Sequence, residues 1–259
     1  MSNMSDTYKV RTPESVWKKA VKMKGVAYYS FLLYIMLKCR ELRYFNMLYY
    51  YGADSLIEKP VYNSNRSNPS NDYGKGFYLT PDINMARLWA SRYEKGFCIT
   101  YEVDTDKLNS LILDESKDEN VLKWITLLVQ HRFSKDEYAA NKSTIDWLIE
   151  HYSTDFTDID SIIGYRADDA YFTYSRDFVQ NNLSLQALSE AMHLGKLGSQ
   201  YVLKSKKAFN SISIVDYEKV EKTDAYDLFR KSTLKEFHRI KENDSIDNTF
   251  IRDIMRGGL

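Results

Sequence analysis

The chain has 259 residues, 36 Lys+Arg against 36 Asp+Glu, with 28% charged and 44% hydrophobic positions. Such a length and composition describe a folded protein of one large domain, or one domain with an extension. The zero net charge excludes an overall field that would draw in nucleic acid or an anionic membrane, so any such partner has to use a local patch.

Residues 13–45 read as one or two helices: Thr12 can cap, Pro13 suits a first turn, and Val16, Trp17, Ala20 and Val21 recur at helical spacing. The apolar run Gly25 to Leu37 spans thirteen residues, short of the roughly 20 needed to cross a bilayer, so a buried helix is expected there. No signal peptide is read at the start, because Asp6, Lys9, Arg11 and Glu14 precede any apolar run. Cys39 and Cys98 share no CxxC spacing, which excludes a disulfide framework and a zinc ribbon and makes a reducing, cytoplasmic location the expectation.

Met47 to Tyr51 is an aromatic strand ending at Gly52, and Asn63 to Asn71 an exposed loop. Gly74 to Leu79 reads as a glycine-kinked strand; Thr80-Pro81-Asp82 then opens a helix as N-cap, first-turn proline and first-turn acid, running to about Tyr93. Phe97 to Val103 alternates as a strand, while Val121 to Arg132 and Ile145 to Tyr152 are helical. A buried strand over Ser161–Gly164, helices over Asp169–Asn181 and Leu185–Leu194, and strands over Gln200–Leu203 and Ile212–Val215 follow, with charged surface helices from Tyr226 onward. Strands and helices do not alternate regularly, which favours an α+β fold with antiparallel sheets over a doubly wound one.

No phosphate-binding loop, dinucleotide fingerprint or nucleophile elbow occurs. The four histidines are scattered without a ligating partner, so no metal is expected, and Cys98 reads as a small buried hydrophobe. Tyr28–Phe31 and Tyr171–Tyr174 read as helix core. Lys204, Lys206 and Lys207 form a basic cluster, read as a solvated edge or as a hold on a phosphate of a nucleotide or nucleic acid.

The informative stretch is Asp72-Tyr73-Gly74-Lys75-Gly76-Phe77-Tyr78-Leu79. Two glycines one residue apart let a backbone approach a ligand closely, and Tyr78 projects from the same strand face as Gly76; the same pattern also marks a bulge in an ordinary sheet. This stretch resembles the Tyr-Gly-Lys-Gly-x-Tyr segment of the ADP-ribosyltransferase superfamily, in its diphtheria-toxin and poly(ADP-ribose) polymerase branch. Leu48 to Ala53 occupies the place of that branch's first strand, which ends in His-Gly-Ser, and Ser199-Gln200-Tyr201-Val202 that of its glutamate strand. The segment Leu48 to Val215 is similar to an uncharacterised bacterial domain family (DUF3990-like), through its Asp-x-Gly-x-Gly-Phe-Tyr, Ile162-Ile163-Gly164-Tyr165-Arg166-Ala167-Asp168-Asp169 and Gln200-Tyr201-Val202-Leu203-Lys204-Ser205 runs.

The resemblance implies a split antiparallel β-sandwich with surrounding helices, divided into an N-terminal helical extension (1–46), the transferase-like domain (47–216) and a C-terminal helical segment (217–259). It implies an NAD-dependent mono-ADP-ribosyltransferase, a toxin of a toxin–antitoxin or phage-defence pair, modifying a protein or nucleic acid and neutralised by an antitoxin protein. Gly52 would offer its backbone to the nicotinamide carboxamide and Tyr78 would stack on the ring; Tyr51, Gly74, Gly76 and Arg166 complete the NAD-binding set. The pattern departs twice, with Tyr51 in place of histidine and Gln200 in place of glutamate, so poly-chain synthesis is not expected. Gln200 can hold the ribose 2′-hydroxyl but has no charge to offset the oxocarbenium-like cation. Asp168 and Asp169, beside Arg166, are the candidate compensating acids, or else the cap and first turn of the next helix. A catalytically degenerate binding module and an NAD glycohydrolase are the alternatives.

Overall fold

The computed structural model describes residues 47–64, 67–113, 117–166, 169–194 and 198–257, of which 169–171 and 193–194 as backbone only. The expected helices over 13–45, with Tyr28–Phe31 and Cys39, lie outside the described residues, as does Asp168.

The aromatic run after Met47 forms β1 (Met47–Ala53), which pairs antiparallel with β3 (Gly96–Val103). β3 pairs in turn with β7 (Ile212–Val220), with a bulge between Thr100 and Tyr101, to complete a three-stranded sheet. The second sheet has the order β2 (Phe77–Leu79), β6 (Ser199–Leu203), β5 (Ser161–Tyr165), β4 (Ser110–Ile112). Its pairs are antiparallel except β4 with β5, which is parallel. With nine helices among the described residues and no closed barrel, the architecture is mixed α and β.

Because strand side chains alternate, β1 splits its residues between two environments. Tyr49, Tyr51 and Ala53 face the second sheet, where a core of Leu79, Ile99, Tyr101, Tyr201 and Phe209 fills the space between the sheets. Gly52 faces α1 (Ile83–Ala90) on the other side, with Cys98 beside it, 1% exposed and its thiol pushed up to about 12 by burial. A larger core lies among α2 (Asp118–Arg132), α3 (Lys135–Ala140), α4 (Lys142–Tyr152), α5 (Asp169–Val179) and α6 (Leu185–Leu194), led by Trp124, Leu128, Leu148 and Phe178. α7 (Lys206–Asn210) links β6 to β7, and α8 (Ala225–Glu242) and α9 (Ile251–Met255) place Phe237, Ile240, Ile251 and Ile254 in that same core. The C-terminal segment is thus more than a surface addition, and a division at 216 falls inside β7.

Several boundaries move for physical reasons. Thr80 exchanges two backbone hydrogen bonds with Tyr50, so the chain stays extended through it, and the helix cap is Asp82, which accepts from the Asn84 amide. β2 starts only at Phe77 because Gly74 sits at φ +69, outside strand geometry. The short α3 was not expected, although Ser134 and Glu137 form a capping box whose spacing is visible in the sequence.

Asp160 joins β5, β6 and α7 into one unit. Its carboxylate takes the Lys207 ammonium at 2.8 Å, the Ser205 hydroxyl at 2.5 Å and the Asn109 amide at 3.0 Å. Those donors, Lys207 first and then Ser205, hold its carboxyl down to about 2. A depressed folded-state value means the stabilisation is present in full above the unfolded carboxyl range near 4 and is lost as pH falls from there toward 2. Asp160→Asn is expected to flatten the pH dependence of the melting temperature in that window while lowering it at neutral pH; an unchanged acid profile would discount the cluster.

Candidate active site

The edge of β1 opposite β3, the start of β2 and the ends of β5 and β6 border a cleft of roughly 1420 Å³. Tyr51, Gly52, Gly76, Tyr78, Arg166 and Gln200 line it together, so six of the nine anticipated site residues share one space although the first and last of them lie 149 positions apart in sequence.

Gly52 earns its place twice. A Cβ there would lie 2.2 Å from the Ala86 carbonyl oxygen and 2.9 Å from the Ala90 nitrogen, so the missing side chain is what lets α1 lie on the strand. Its backbone does something separate. Tyr50 turns its N–H and C=O away from β3, toward Thr80. In an antiparallel ladder every second residue points the same way, so Gly52 also presents one donor and one acceptor to the open edge, and hence to the cleft.

At the other two glycines the missing side chain makes room for other parts of the protein. A Cβ on Gly76 would meet Val202 Cγ1 at 2.7 Å and the Leu203 carbonyl at 2.9 Å; one on Gly74 would meet the His131 ring at 2.7 Å. Both permit close packing of protein on protein. Gly74 sits in the turn behind Tyr78 and is not among the residues lining the cleft. The Tyr78 hydroxyl donates to the Gly74 carbonyl at 2.5 Å and accepts from the Tyr73 amide at 3.1 Å. With the phenol tied to its own loop, and its ionisation pushed upward first by burial and then by the charge of Asp72, the ring is a fixed apolar wall.

Gln200 is 2% exposed at the base of the cleft, and its Nε2 donates to the Tyr165 carbonyl and to Asp72 Oδ2, each at 3.2 Å. Asp72, itself buried, takes Arg132 on Oδ1 at 2.8 Å. Arg132 is held over the Phe172 ring at 5.0 Å. Arg166 lies 3.6 Å over the Trp89 ring, and Arg92, stacked at 4.4 Å on Tyr226, brings a further cation to the lining. Tyr51 packs its ring against Phe77 at 4.7 Å.

Asp168 lies outside the described residues, and of Asp169 only the backbone, at the start of α5, is described. The lysine cluster separates: Lys204 donates inward to the Tyr73 and Lys75 carbonyls, with burial lowering its ammonium to about 8, and Lys207 is paired with Asp160. It is therefore not a uniform solvated edge: Lys206 and Lys207 are exposed, whereas Lys204 is turned inward. Among the described residues no group of three or more His, Cys, Asp or Glu side chains could hold a metal ion, and no helix is long and apolar enough to cross a membrane.

The family model described as "Protein of unknown function (DUF3990)" matches residues 47–214. This chain belongs to that family. No curated protein and no solved structure matches it. The DUF3990 segment carries the cleft residues from Tyr51 through Phe209, whereas Tyr226, which steadies Arg92, comes from α8 beyond it. Asp72, Arg132, Trp89, Arg92 and Tyr226 were not singled out by sequence reasoning. Asp72 alone left a signal, as the first residue of the glycine–aromatic motif that this DUF3990 chain carries.

Proposed function

We propose that this chain is an NAD-dependent mono-ADP-ribosyltransferase, which breaks the nicotinamide–ribose bond and passes ADP-ribose to a macromolecular acceptor. One observation carries the reading: the outward backbone edge of Gly52, the ring of Tyr78 and the amide of Gln200 meet in one cleft from three different strands. A carboxamide has one acceptor and one donor end, which matches the paired N–H and C=O of an extended residue. The flat ring beside it lies against Tyr78. Gln200 takes the ribose 2′-hydroxyl, and Arg166, fixed on Trp89, provides positive charge for the diphosphate.

Holding the dinucleotide at both ends of the glycosidic bond exposes that bond. Nicotinamide departs with the bonding electron pair as a neutral base, C1′ develops oxocarbenium character, and a nucleophile of the acceptor attacks while its proton passes to solvent. By superfamily analogy, a toxin restrained by a neutralising protein forms part of the same proposal.

Incubating the full chain with NAD labelled on its adenylate half tests the reading. Label transferred to protein or nucleic acid, with release of nicotinamide, is the expected outcome. Free ADP-ribose alone would mean water is the acceptor and the protein a glycohydrolase; no turnover and no NAD binding would overturn the proposal.

A further inference from the structure

An amide at position 200 leaves the cleft without the negative charge that an oxocarbenium-like transition state calls for. Chemistry fixes how that amide is turned. Both of its neighbours, the Asp72 carboxylate and the Tyr165 carbonyl, are acceptors only, so Nε2 must face them and Oε1 must face away. The Tyr165 carbonyl is itself held in place by the Tyr73 hydroxyl at 2.7 Å and the Trp124 indole N–H at 3.1 Å. Asp72 is fixed from its other oxygen by Arg132. Gln200 and Asp72 are 2% and 7% exposed, and both line the cleft. Asp72 thus reaches beyond Arg132, its second oxygen accepting from an amide on β6, 128 residues away in sequence.

We infer that Asp72 is the positioning carboxylate of this site: acting through Gln200 Nε2, it aims Oε1 at the ribose 2′-hydroxyl and supplies the charge that the glutamine lacks. The inference rests on the transferase reading above. Negative charge at the amide nitrogen strengthens Oε1 as an acceptor, because hydrogen bonds in a chain polarise one another. As C1′ becomes positive, the 2′-hydroxyl proton is held more tightly, so the interaction grows toward the transition state and belongs in kcat more than in KM.

The test moves the charge across one hydrogen bond in the full chain and follows nicotinamide release, with kcat and KM separated. Asp72→Asn is expected to lower kcat by about 10- to 100-fold, the worth of a hydrogen bond to a charged group, with KM little changed. Gln200→Glu alone sets two carboxylates against each other and is expected to lower kcat as well. The double variant Asp72→Asn/Gln200→Glu restores one donor facing one carboxylate, and is expected to regain at least about 10-fold over the weaker single variant. Asp72→Asn with wild-type kcat, a change confined to KM or melting temperature, or a double variant no better than its singles would each overturn the inference. If Asp72→Asn fails to fold, Gln200→Glu decides: a fall in kcat supports the coupling, and activity at or above wild type overturns it. A wild-type chain that neither binds NAD nor releases nicotinamide overturns the transferase reading along with it, whereas an active wild type with an unaffected Asp72→Asn overturns this inference alone.

Discussion

On the proposed transferase reading, replacing Tyr78 by alanine is expected to cut nicotinamide release by about 100-fold or more, since losing a wall that orients a reacting group has that order of cost. The loss has two sources, which a second variant separates. Tyr78→Phe keeps the ring but leaves the Gly74 carbonyl and the Tyr73 amide without the hydroxyl they share. Leaving buried polar groups unsatisfied costs about 1–3 kcal/mol of stability. The phenylalanine variant is therefore expected to melt earlier yet retain most of its kcat, whereas the alanine variant loses both. Initial rates at saturating NAD together with thermal unfolding distinguish the two. An alanine variant with wild-type turnover would show that the ring is not part of the site.

Gly52→Ala is the second large effect, and it is expected on stability first. The new methyl would sit 2.2 Å from the Ala86 carbonyl oxygen and 2.9 Å from both the Ala90 nitrogen and Trp89 Cβ, which are backbone and near-backbone atoms that cannot swing aside. α1 has to lift from β1, at a cost of about 3 kcal/mol or more. Because α1 carries Trp89, and Trp89 carries Arg166, the disturbance reaches the cleft even though the methyl points away from it. Chemical denaturation measures the effect; a variant within about 1 kcal/mol of wild type would mean that the helix approaches the strand less closely than described.

How much of this was legible in the sequence differs from element to element. The span Leu185–Leu194 was read at its observed limits, and Phe97–Val103 within one residue, because periodicity over eight to ten residues leaves little choice of type. The cap of α1 was missed by two positions: Thr80 and Asp82 are both good caps, and what decides between them is a bridge to Tyr50 thirty residues earlier. The motif glycines signalled a close approach correctly, but sequence does not say to what, and for Gly74 and Gly76 the answer is His131 and β6. Asp72 escaped for the same reason. It stood first in the motif under scrutiny, yet its partners Arg132 and Gln200 lie 60 and 128 residues further on, and only the tertiary fold brings them together.

The chain has 21 tyrosines against 12 phenylalanines, and several of these rings lie where the two sheets meet. The backbone connection described between the two sheets is the pair of hydrogen bonds joining Tyr50 and Thr80. Rings make up much of the rest of the seam, beside Leu79 and Ile99: Tyr49 lies flat on Tyr201 at 4.4 Å, Tyr51 leans on Phe77, and Phe77 meets Tyr101 edge-on at 5.6 Å. A hydrogen-bonded ladder tolerates almost no slip, whereas stacked and edge-on rings keep much of their attraction over a range of offsets. The walls of the cleft belong to different sheets, so its width is set by this aromatic seam together with the backbone bridge at Tyr50 and Thr80.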